Sequence, residues 1–246
     1  YSLSFDGVDD WVEIPHSDLL TLENTDFTIE SWIVLSSILD NTGLLSMRGD
    51  GVPIDGYRIY ISPDNIEIAQ GGGGTTDFII PFIAPINNPF HLAVTFDNLE
   101  SRIECFINGE SMGSLSEFSP FSASGESLWI GDDIYPDYPP IDGLLDEIRF
   151  SSIVRYSDNF IPELNLNTDG NTIVHYKFNS GSGDVLYDHS GNGNHGTING
   201  ATWQYEMPLH SGANLISFMS LPEDNSVGNV LSPLDGIVTG IIGEGI

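Results

Sequence analysis

Short segments in which apolar and polar side chains alternate make up most of the first 205 residues, and clusters of Gly, Pro, Asn and Asp separate them. A period of two places successive side chains on opposite faces of a β-strand, so each segment can bury one face. Helical periodicity is nearly absent. The chain is therefore predicted to be all-β, and its 246 residues are enough to bury a full core.

Two acidic segments bracket the first 150 residues. Residues 2–15, SLSFDGVDDWVEIP, and residues 143–151, GLLDEIRFS, alternate in this way, and each carries an aspartate and a glycine. They are predicted to be the first and last strands of one sandwich. In a closed two-sheet arrangement these strands lie side by side, which limits exposed sheet edges.

Three local predictions are more specific. Residues 26–35, DFTIESWIVL, carry apolar side chains on both faces, which indicates a central strand. Asn108 and Gly109 both tolerate positive φ and stand between two strand-like segments, which predicts a tight hairpin. Cys105 is the only cysteine, so no intrachain disulfide can form, and the alternation around it predicts a buried thiol.

Five segments occur here in the order found in laminin-G-like jelly rolls. They are SLSFDGVDDWVEIP at 2–15, DFTIESWI at 26–33, FHLAVTFD at 90–97, IECFINGE at 103–110 and DGLLDEIRFS at 142–151. The chain thus resembles the concanavalin A-like lectin/glucanase superfamily over roughly residues 1–205. The resemblance implies a two-sheet antiparallel jelly-roll sandwich followed by a small C-terminal β extension.

The domain organisation follows from this resemblance and from changes in composition. Residues 1–160 are predicted to form the jelly roll, and residues 161–205 an extension that packs on it. Residues 206–246 contain two strand-like apolar runs without a compact unit, so they are predicted to start a further β segment or to form an interaction tail. Such a tail could add a strand to another copy of the chain or to a neighbouring β-domain.

The charge balance restricts the partners. Thirty-six Asp and Glu oppose six Lys and Arg, giving a formal charge of −30, and the six cations are scattered singly. No basic stripe can form, which argues against nucleic acid and anionic membranes. No apolar run approaches the roughly 18 residues of a membrane span, so no membrane insertion is predicted. Because salt screens self-repulsion, the composition favours a secreted or cell-surface protein in a saline or calcium-rich exterior.

The first candidate metal site lies where the two terminal strands would meet. Jelly rolls of this kind often carry one calcium ion there, and the resemblance carries that role to Asp6, Gly7 and Asp146. Carboxylate and carbonyl oxygens are the ligands that calcium takes in proteins. The alternative is that these aspartates cap turns through backbone N–H groups.

A second candidate is the loop DHSGNGNHG at 188–196. Asp188, Ser190, Asn192 and Asn194 present oxygens at every second residue, a spacing that lets a loop fold around one cation. No bidentate glutamate follows, so an Asx-rich turn is the favoured interpretation. Zinc is not supported, because the six histidines form no H-x-x-x-H pair and Cys105 has no cysteine partner.

The loop DDIYPDYPP at 132–140 is the predicted ligand rim. It holds Asp132, Asp133, Tyr135 and Tyr138, which combine acidic groups with aromatic rings that can stack on sugars. Other aromatic residues able to stack are Trp11, Tyr57, Tyr60 and Trp129. Most aromatic side chains in a sandwich are packing residues instead.

Catalysis has little support in the sequence. Laminarinase-type glucanases of the superfamily carry E-x-D-x-x-E on one strand, and no glutamate here is followed by x-D. A G-x-S-x-G elbow and a phosphate-binding G-x-x-x-x-G-K loop are also absent. The leading hypothesis is an extracellular calcium-stabilised adhesion or carbohydrate-binding module. A structural subunit of a surface filament or stalk is the alternative, and a glycan-active hydrolase is the third hypothesis.

Overall fold

A computed structural model describes residues 1–49, 55–70, 77–122 and 124–204 of the chain. These residues contain sixteen strands and one short 3₁₀ helix, Asp18–Leu20. In chain order the strands are β1 Ser2–Asp6, β2 Trp11–Ile14, β3 Phe27–Ser37, β4 Thr42–Arg48, β5 Gly56–Ile61, β6 Asn65–Gln70, β7 Phe78–Pro81, β8 Phe90–Asp97, β9 Arg102–Ile107, β10 Glu110–Leu115, β11 Leu128–Ile130, β12 Asp142–Ser151, β13 Thr172–Tyr176, β14 Val185–Leu186, β15 Gly196–Asn199 and β16 Thr202–Gln204. The tail predicted from residue 206 onward lies outside the described residues.

The first sheet has the order β10-β9-β8-β3-β12-β1-β16, and β13 pairs with β12 beyond the end of β1. Leu3 stands opposite Leu145, so the terminal strands are neighbours and that prediction is confirmed. β3 lies between β8 and β12 and is buried along most of its length, which confirms the predicted central strand. The register between β3 and β12 shifts at two places, where bulges bend the long strand.

The second sheet has the order β14-β15-β2-β11-β4-β5-β6-β7. The strand pairs of both sheets are antiparallel throughout the described residues. The predicted all-β sandwich of two antiparallel sheets is confirmed. The expected C-terminal β extension contributes strands to both sheets, since β13 and β16 join the first sheet while β14 and β15 join the second.

The hydrophobic core fills the space between the inner faces of the sheets. Alternate residues of each strand point into it, as period-two geometry requires. The ring of Phe121 stacks on both Phe27 and Tyr57, with centroids 4.9 and 4.8 Å apart. The Tyr57 hydroxyl donates to the carbonyl of Leu20, so this buried polar group is satisfied. Full burial of one such side chain is worth about 1.5–3 kcal/mol.

The outer face of the first sheet is covered by the chain that follows β12. Tyr156 and Phe160 stack on each other and pack their edges against Phe106 of β9. Beneath them Arg149 donates to Glu30 at 2.6 Å, and both side chains are buried. The Trp32 indole N–H donates to the carbonyl of Glu163, which fixes the covering segment further along. This face of the sandwich is closed.

The local predictions for β9 and β10 are confirmed. Asn108 and Gly109 have φ of 51° and 77°, and the strands pair on either side of them. Cys105 is fully buried, and burial raises the pKa of its thiol well above the ordinary value. Among the described residues no helix has the length and apolar character needed to cross a bilayer.

Candidate functional site

The outer face of the second sheet carries charged and aromatic side chains, and the loop at 132–140 covers part of it over β4 and β5. Core residues of β4 and β5 alternate with Ser46, Arg48, Arg58 and Tyr60, which therefore point away from the core. The register places Glu13, Trp129, Ser46, Arg58 and Ala69 in one row across five neighbouring strands. We call this surface the outer face of the second sheet.

Two tryptophans lie side by side on this face. Trp11 in β2 and Trp129 in β11 stack with centroids 5.2 Å apart and planes 6° apart, and both are half-buried. They meet because β2 and β11 are adjacent strands. Trp11 lies two residues from Glu13, the residue opposite Trp129, so the two rings share a face and come within reach of each other. Together they form one aromatic surface on β2 and β11, two inner strands of the second sheet.

A second aromatic group surrounds Arg48. Its guanidinium lies over the rings of Tyr135 and Tyr138, 4.2 and 4.7 Å from their centroids. Tyr138 also stacks on Tyr60, with centroids 4.7 Å apart. Cation–π attraction of this kind is worth about 0.5–2 kcal/mol per contact, depending on desolvation. Arg48 thus holds the residue 132–140 loop over β4 and β5.

Asp133 joins this loop to the sheet. The Arg48 guanidinium donates to its Oδ1 at 2.8 Å, and the Tyr60 hydroxyl donates to its Oδ2 at 2.7 Å. The backbone N–H of Tyr135 also donates to Oδ1. Burial and the neighbouring Asp133 carboxylate raise the pKa of Tyr60 far above its ordinary value. Asp133 is buried and both of its carboxylate oxygens accept hydrogen bonds, so it fixes the predicted ligand rim to the sheet.

Asp132 differs from its neighbour. Its Oδ1 accepts the backbone N–H of Asp133, and its side chain is half-buried. Burial, together with the adjacent Asp133 charge, raises the pKa of Asp132 to about 6, although the backbone hydrogen bond opposes the shift. The loop lies close against β4 at Gly43, where there is no side chain. A Cβ at this position would lie 3.0 Å from the backbone carbon of Asp132. All four predicted rim residues therefore belong to one cluster.

Arg58 is the other arginine on this face. Its Nη2 lies 3.5 Å from Glu67 and 4.0 Å from Asp77. Burial and the Asp77 charge raise the pKa of Glu67, while Arg58 acts in the opposite direction. Three buried polar atoms of the outer face have no hydrogen-bond partner among the described residues: Trp11 Nε1, Ser46 Oγ and Arg58 Nε. Water or a polar ligand would satisfy such atoms.

A separate acidic group lies at the turn after β1. Oxygens of Asp6, Asp9 and Asp10 all lie within 4.8 Å of one another, and Asp10 is buried. Burial raises the pKa of Asp10, and the charges of Asp6 and Asp9 raise it further, against the lowering effect of a hydrogen bond from the Asp6 N–H. Gly200 passes so close that a Cβ there would lie 2.0 Å from Asp10 Oδ1. A cation would relieve this concentration of negative charge.

The expected site at the terminal strands is only partly assembled. Asp6 and Gly7 lie at this turn, but the residue opposite Asp6 is Asp142. Asp146 lies four residues further along β12, opposite Trp32 of β3, so it is not brought together with Asp6. The register between β1 and β12 corrects the expected grouping, and alternation alone does not specify that register. Asp9 and Asp10 are the carboxylates that the structure places beside Asp6.

The loop at 188–196 is held by its own hydrogen bonds. Both Asp188 oxygens accept two donors each, from His175 N, the Ser190 N–H and hydroxyl, and Asn194 N. A carboxylate has about four acceptor positions, so these donors occupy them. Asn192 donates its amide to the carbonyls of Thr172 and Ile173. This geometry is that of the Asx-rich turn and differs from a cation loop.

Sequence reasoning missed Arg48, Ser46 and Arg58 on the outer face and Asp9 and Asp10 in the turn. The alternation could have indicated that the first three share an outward face, since each alternates with core residues of its strand. Tyr60 and Trp129 were recognised as able to stack, and they lie on this face. Tyr57 lies in the core. The acidic turn is visible as DGVDD, but without a fixed register its members could not be assigned.

The two sheets and their covering segments together define a two-sheet antiparallel β-sandwich. The family model described as the concanavalin A-like lectin/glucanases superfamily matches residues 6–159, more than half of the chain. The chain therefore belongs to that superfamily, and the predicted resemblance is confirmed. Comparison with curated protein sequences gave no match.

Solved structures show the same fold at low sequence identity. A candidate carbohydrate binding protein from Bacteroides ovatus has a TM-score of 0.65 at 20% identity over 82% of this chain. The chain spans 58% of that protein's length. The CBM40 of a Ruminococcus gnavus sialidase bound to α2,3-sialyllactose has a TM-score of 0.54 at 14% identity, covering 63% of this chain and 91% of that one. Domain 4 of an extracellular arabinanase from Geobacillus stearothermophilus, in complex with arabinotriose, has a TM-score of 0.50 at 20% identity, covering 62% and 71%.

Proposed function

We propose that the chain is an extracellular carbohydrate-binding or adhesion module that acts without catalysis and binds glycans on the outer face of the second sheet. The observation that carries this proposal is the difference between the two outer faces. The first is covered by Tyr156, Phe160 and their segment, whereas on the second the Trp11–Trp129 stack remains partly exposed. Tyr135 and Tyr138 are also partly exposed there, beside the buried Arg48.

The side chains of this face suit sugar recognition. Pyranose rings present flat C–H surfaces, which pack on aromatic rings such as Trp129 and Tyr138, and hydroxyls that donate to carboxylates. The rings are already stacked and the loop is already tied down, so little conformational freedom would be lost on binding. Isolated side chains on a flexible loop would lack this preorganisation.

The related structures support the same ligand class. The Ruminococcus gnavus module was solved with sialyllactose and the arabinanase domain with arabinotriose. Both share the present fold at low identity. They support carbohydrate as the ligand class for this chain, whose own residues must determine which sugar binds.

Calcium is proposed as a structural ion at the turn after β1. Asp6, Asp9 and Asp10 offer carboxylate oxygens, the donors that calcium prefers, and the raised pKa of Asp10 reflects a carboxylate buried among like charges. The donor set therefore fits the ion. A bound calcium would offset most of the negative charge of the acidic turn and fix the start of β2, whose Trp11 belongs to the aromatic surface.

The proposal that the module is not catalytic rests on the hydrogen bonds and the pKa of its carboxylates. Retaining glycosidases need two carboxyl groups about 5 Å apart, one of them free to act as a nucleophile. Asp132 has a raised pKa suited to an acid, but its neighbour Asp133 is held by Arg48 and Tyr60 beneath the loop. That engagement favours a binding role for the cluster.

The test is a glycan array probed with the intact chain and with single variants. Trp129→Ala and Tyr138→Ala are each expected to weaken binding at least about tenfold, since each removes a stacking surface. The matched control is Tyr1→Ala, because Tyr1 is 47% exposed and directly precedes β1, a strand of the first sheet. Equal loss in the control, or unchanged binding in Trp129→Ala, would contradict the proposed surface.

A further inference from the structure

We infer that the sugar bound on the outer face of the second sheet is neutral, and that uronic and sialic acids are rejected there. This inference rests on the proposed function and deepens it by naming the ligand class. It starts from the distribution of the six cationic side chains over the structure. Arginine and lysine supply the charge-assisted hydrogen bonds that hold a ligand carboxylate, so a cation already paired with an acid offers less to such a ligand.

Both arginines of the outer face are already neutralised. Arg48 forms a buried ion pair with Asp133, with 3% and 0% of the side chains exposed. Its guanidinium is also enclosed by the rings of Tyr135 and Tyr138. A ligand carboxylate could reach Arg48 only by displacing Asp133, which would leave that aspartate buried without its charge partner.

Arg58 is neutralised by two acids instead of one. Glu67 and Asp77 lie 3.5 and 4.0 Å from its Nη2. Two carboxylates thus face one guanidinium, and burial, together with the Asp77 charge, raises the pKa of Glu67 in spite of Arg58. A third carboxylate brought by a ligand would meet repulsion from both.

The remaining cations lie elsewhere. Arg102 pairs with Glu104, Arg149 with Glu30 and Arg155 with Asp169, all on first-sheet strands or on residues that cover that sheet. Lys177, which forms no ion pair with the described residues, follows β13, and β13 is paired within the first sheet.

The acidic groups of the outer face suit a neutral ligand. Glu13 lies beside Trp129 in the same row, and Asp132 lies in the loop that carries Tyr135 and Tyr138. Ionised carboxylates accept hydrogen bonds from sugar hydroxyls, and such charge-assisted bonds are about twice as strong as neutral ones. The same groups repel an anionic sugar. With a formal charge of −30, the chain also slows the approach of anions at low ionic strength.

Isothermal titration calorimetry of the intact chain with matched sugar pairs tests the inference. Suitable pairs are lactose with α2,3-sialyllactose and galactotriose with trigalacturonic acid. In any pair that binds, the neutral member is expected to bind at least about tenfold tighter, and added salt should narrow the gap by screening repulsion. An acidic member that binds as tightly or more tightly would overturn the inference while leaving the proposed function intact. No binding to sugars of either class would contradict the proposed function, and the inference with it.

A variant that removes the acidic partners of Arg58 provides a second test. Glu67→Gln combined with Asp77→Asn removes both partners of Arg58 and should raise the affinity for the acidic member relative to the neutral one by several-fold. The control, Glu104→Gln, frees Arg102 on the first sheet, where no change in preference is expected. An unchanged preference in the Arg58 variant, or an equal change in the control, would contradict the assignment of selectivity to the outer face.

Discussion

Nη2 of Arg48 lies 2.8 Å from Oδ1 of Asp133, and this buried ion pair connects β4 to the loop that follows β11. The second carboxylate oxygen of Asp133 accepts a hydrogen bond from the hydroxyl of Tyr60, so both oxygens of Asp133 have a donor. Buried ion pairs are stable only when their geometry is satisfied in this way. The position of Tyr135 and Tyr138 therefore depends on two residues that a ligand need not touch.

The first prediction concerns removal of this pair. Asp133→Ala should lower the free energy of unfolding by about 3–5 kcal/mol, because Arg48 is left as a buried charge without its partner. Urea unfolding followed by tryptophan fluorescence measures the loss. The control is Asp18→Ala, which breaks an exposed contact with His16 and should change little. Equal effects of the two substitutions would show that the buried pair has no special role.

The second prediction concerns Gly131, which begins the same loop. Its φ is +87°, and a Cβ there would lie 2.4 Å from a ring carbon of Phe5 in the core. Gly131→Ala should lower stability by about 1–3 kcal/mol through overpacking, with further strain from the left-handed backbone, and should weaken glycan binding. Gly125→Ala is the control, since a Cβ at Gly125 has no atom within 4 Å and its φ is not positive. Unchanged stability in Gly131→Ala would contradict this account.

The fold could be predicted because its signal is local. Each strand of the sandwich shows alternation in its own few residues, and the Asn108-Gly109 turn specifies its hairpin without reference to the rest of the chain. The loop of Asp132 to Tyr138 was also recognisable, because its acidic and aromatic residues are contiguous. Local patterns thus supplied the elements and one part of the site.

The remainder of the site depends on strand order, which alternation does not contain. Arg48 meets Asp133 only because β4 lies beside β11, although 85 residues separate the two side chains. In the same way, Asp6 lies opposite Asp142 and not near Asp146 because of a register set by tertiary pairing. A shift of a few residues along a strand leaves the alternation unchanged, so the sequence pattern cannot reveal it.

The third prediction tests calcium. Excess calcium should raise the melting temperature of the intact chain relative to chelator, with a gain of about 2.7 kcal/mol at a hundred times the Kd. Asp9→Asn and Asp10→Asn should each reduce the shift, whereas Asp146→Asn should retain it, because Asp146 lies away from Asp6. Loss of the shift in Asp146→Asn alone would restore the grouping expected from sequence. No shift in the unmodified chain would reject the ion.

The fourth prediction concerns acid stability. Burial alone raises the pKa of Glu30, but hydrogen bonding to His91 and the charges of Arg149 and His91 outweigh it, and the net pKa lies below the ordinary 4.5. The unfolded chain then binds the proton more readily, so this contribution is present above about pH 4.5 and is lost as the pH falls through the folded value. Urea titrations at several pH values should show a flatter decline in Glu30→Gln. An identical slope in both proteins would contradict the assignment.

The last prediction uses the opposite shift at Asp132. Its pKa is raised from 3.8 to about 6 by burial and by the adjacent Asp133, so the folded chain binds the proton more tightly than the unfolded chain. Between about pH 4 and 6, stability from this group should therefore rise as the pH falls, while glycan affinity falls because the carboxylate that accepts sugar hydroxyls is lost. Asp132→Asn should remove both pH-dependent differences. Calorimetry and urea unfolding of the two proteins across this range provide the comparison, and retention of the affinity change in Asp132→Asn would assign it to a different group.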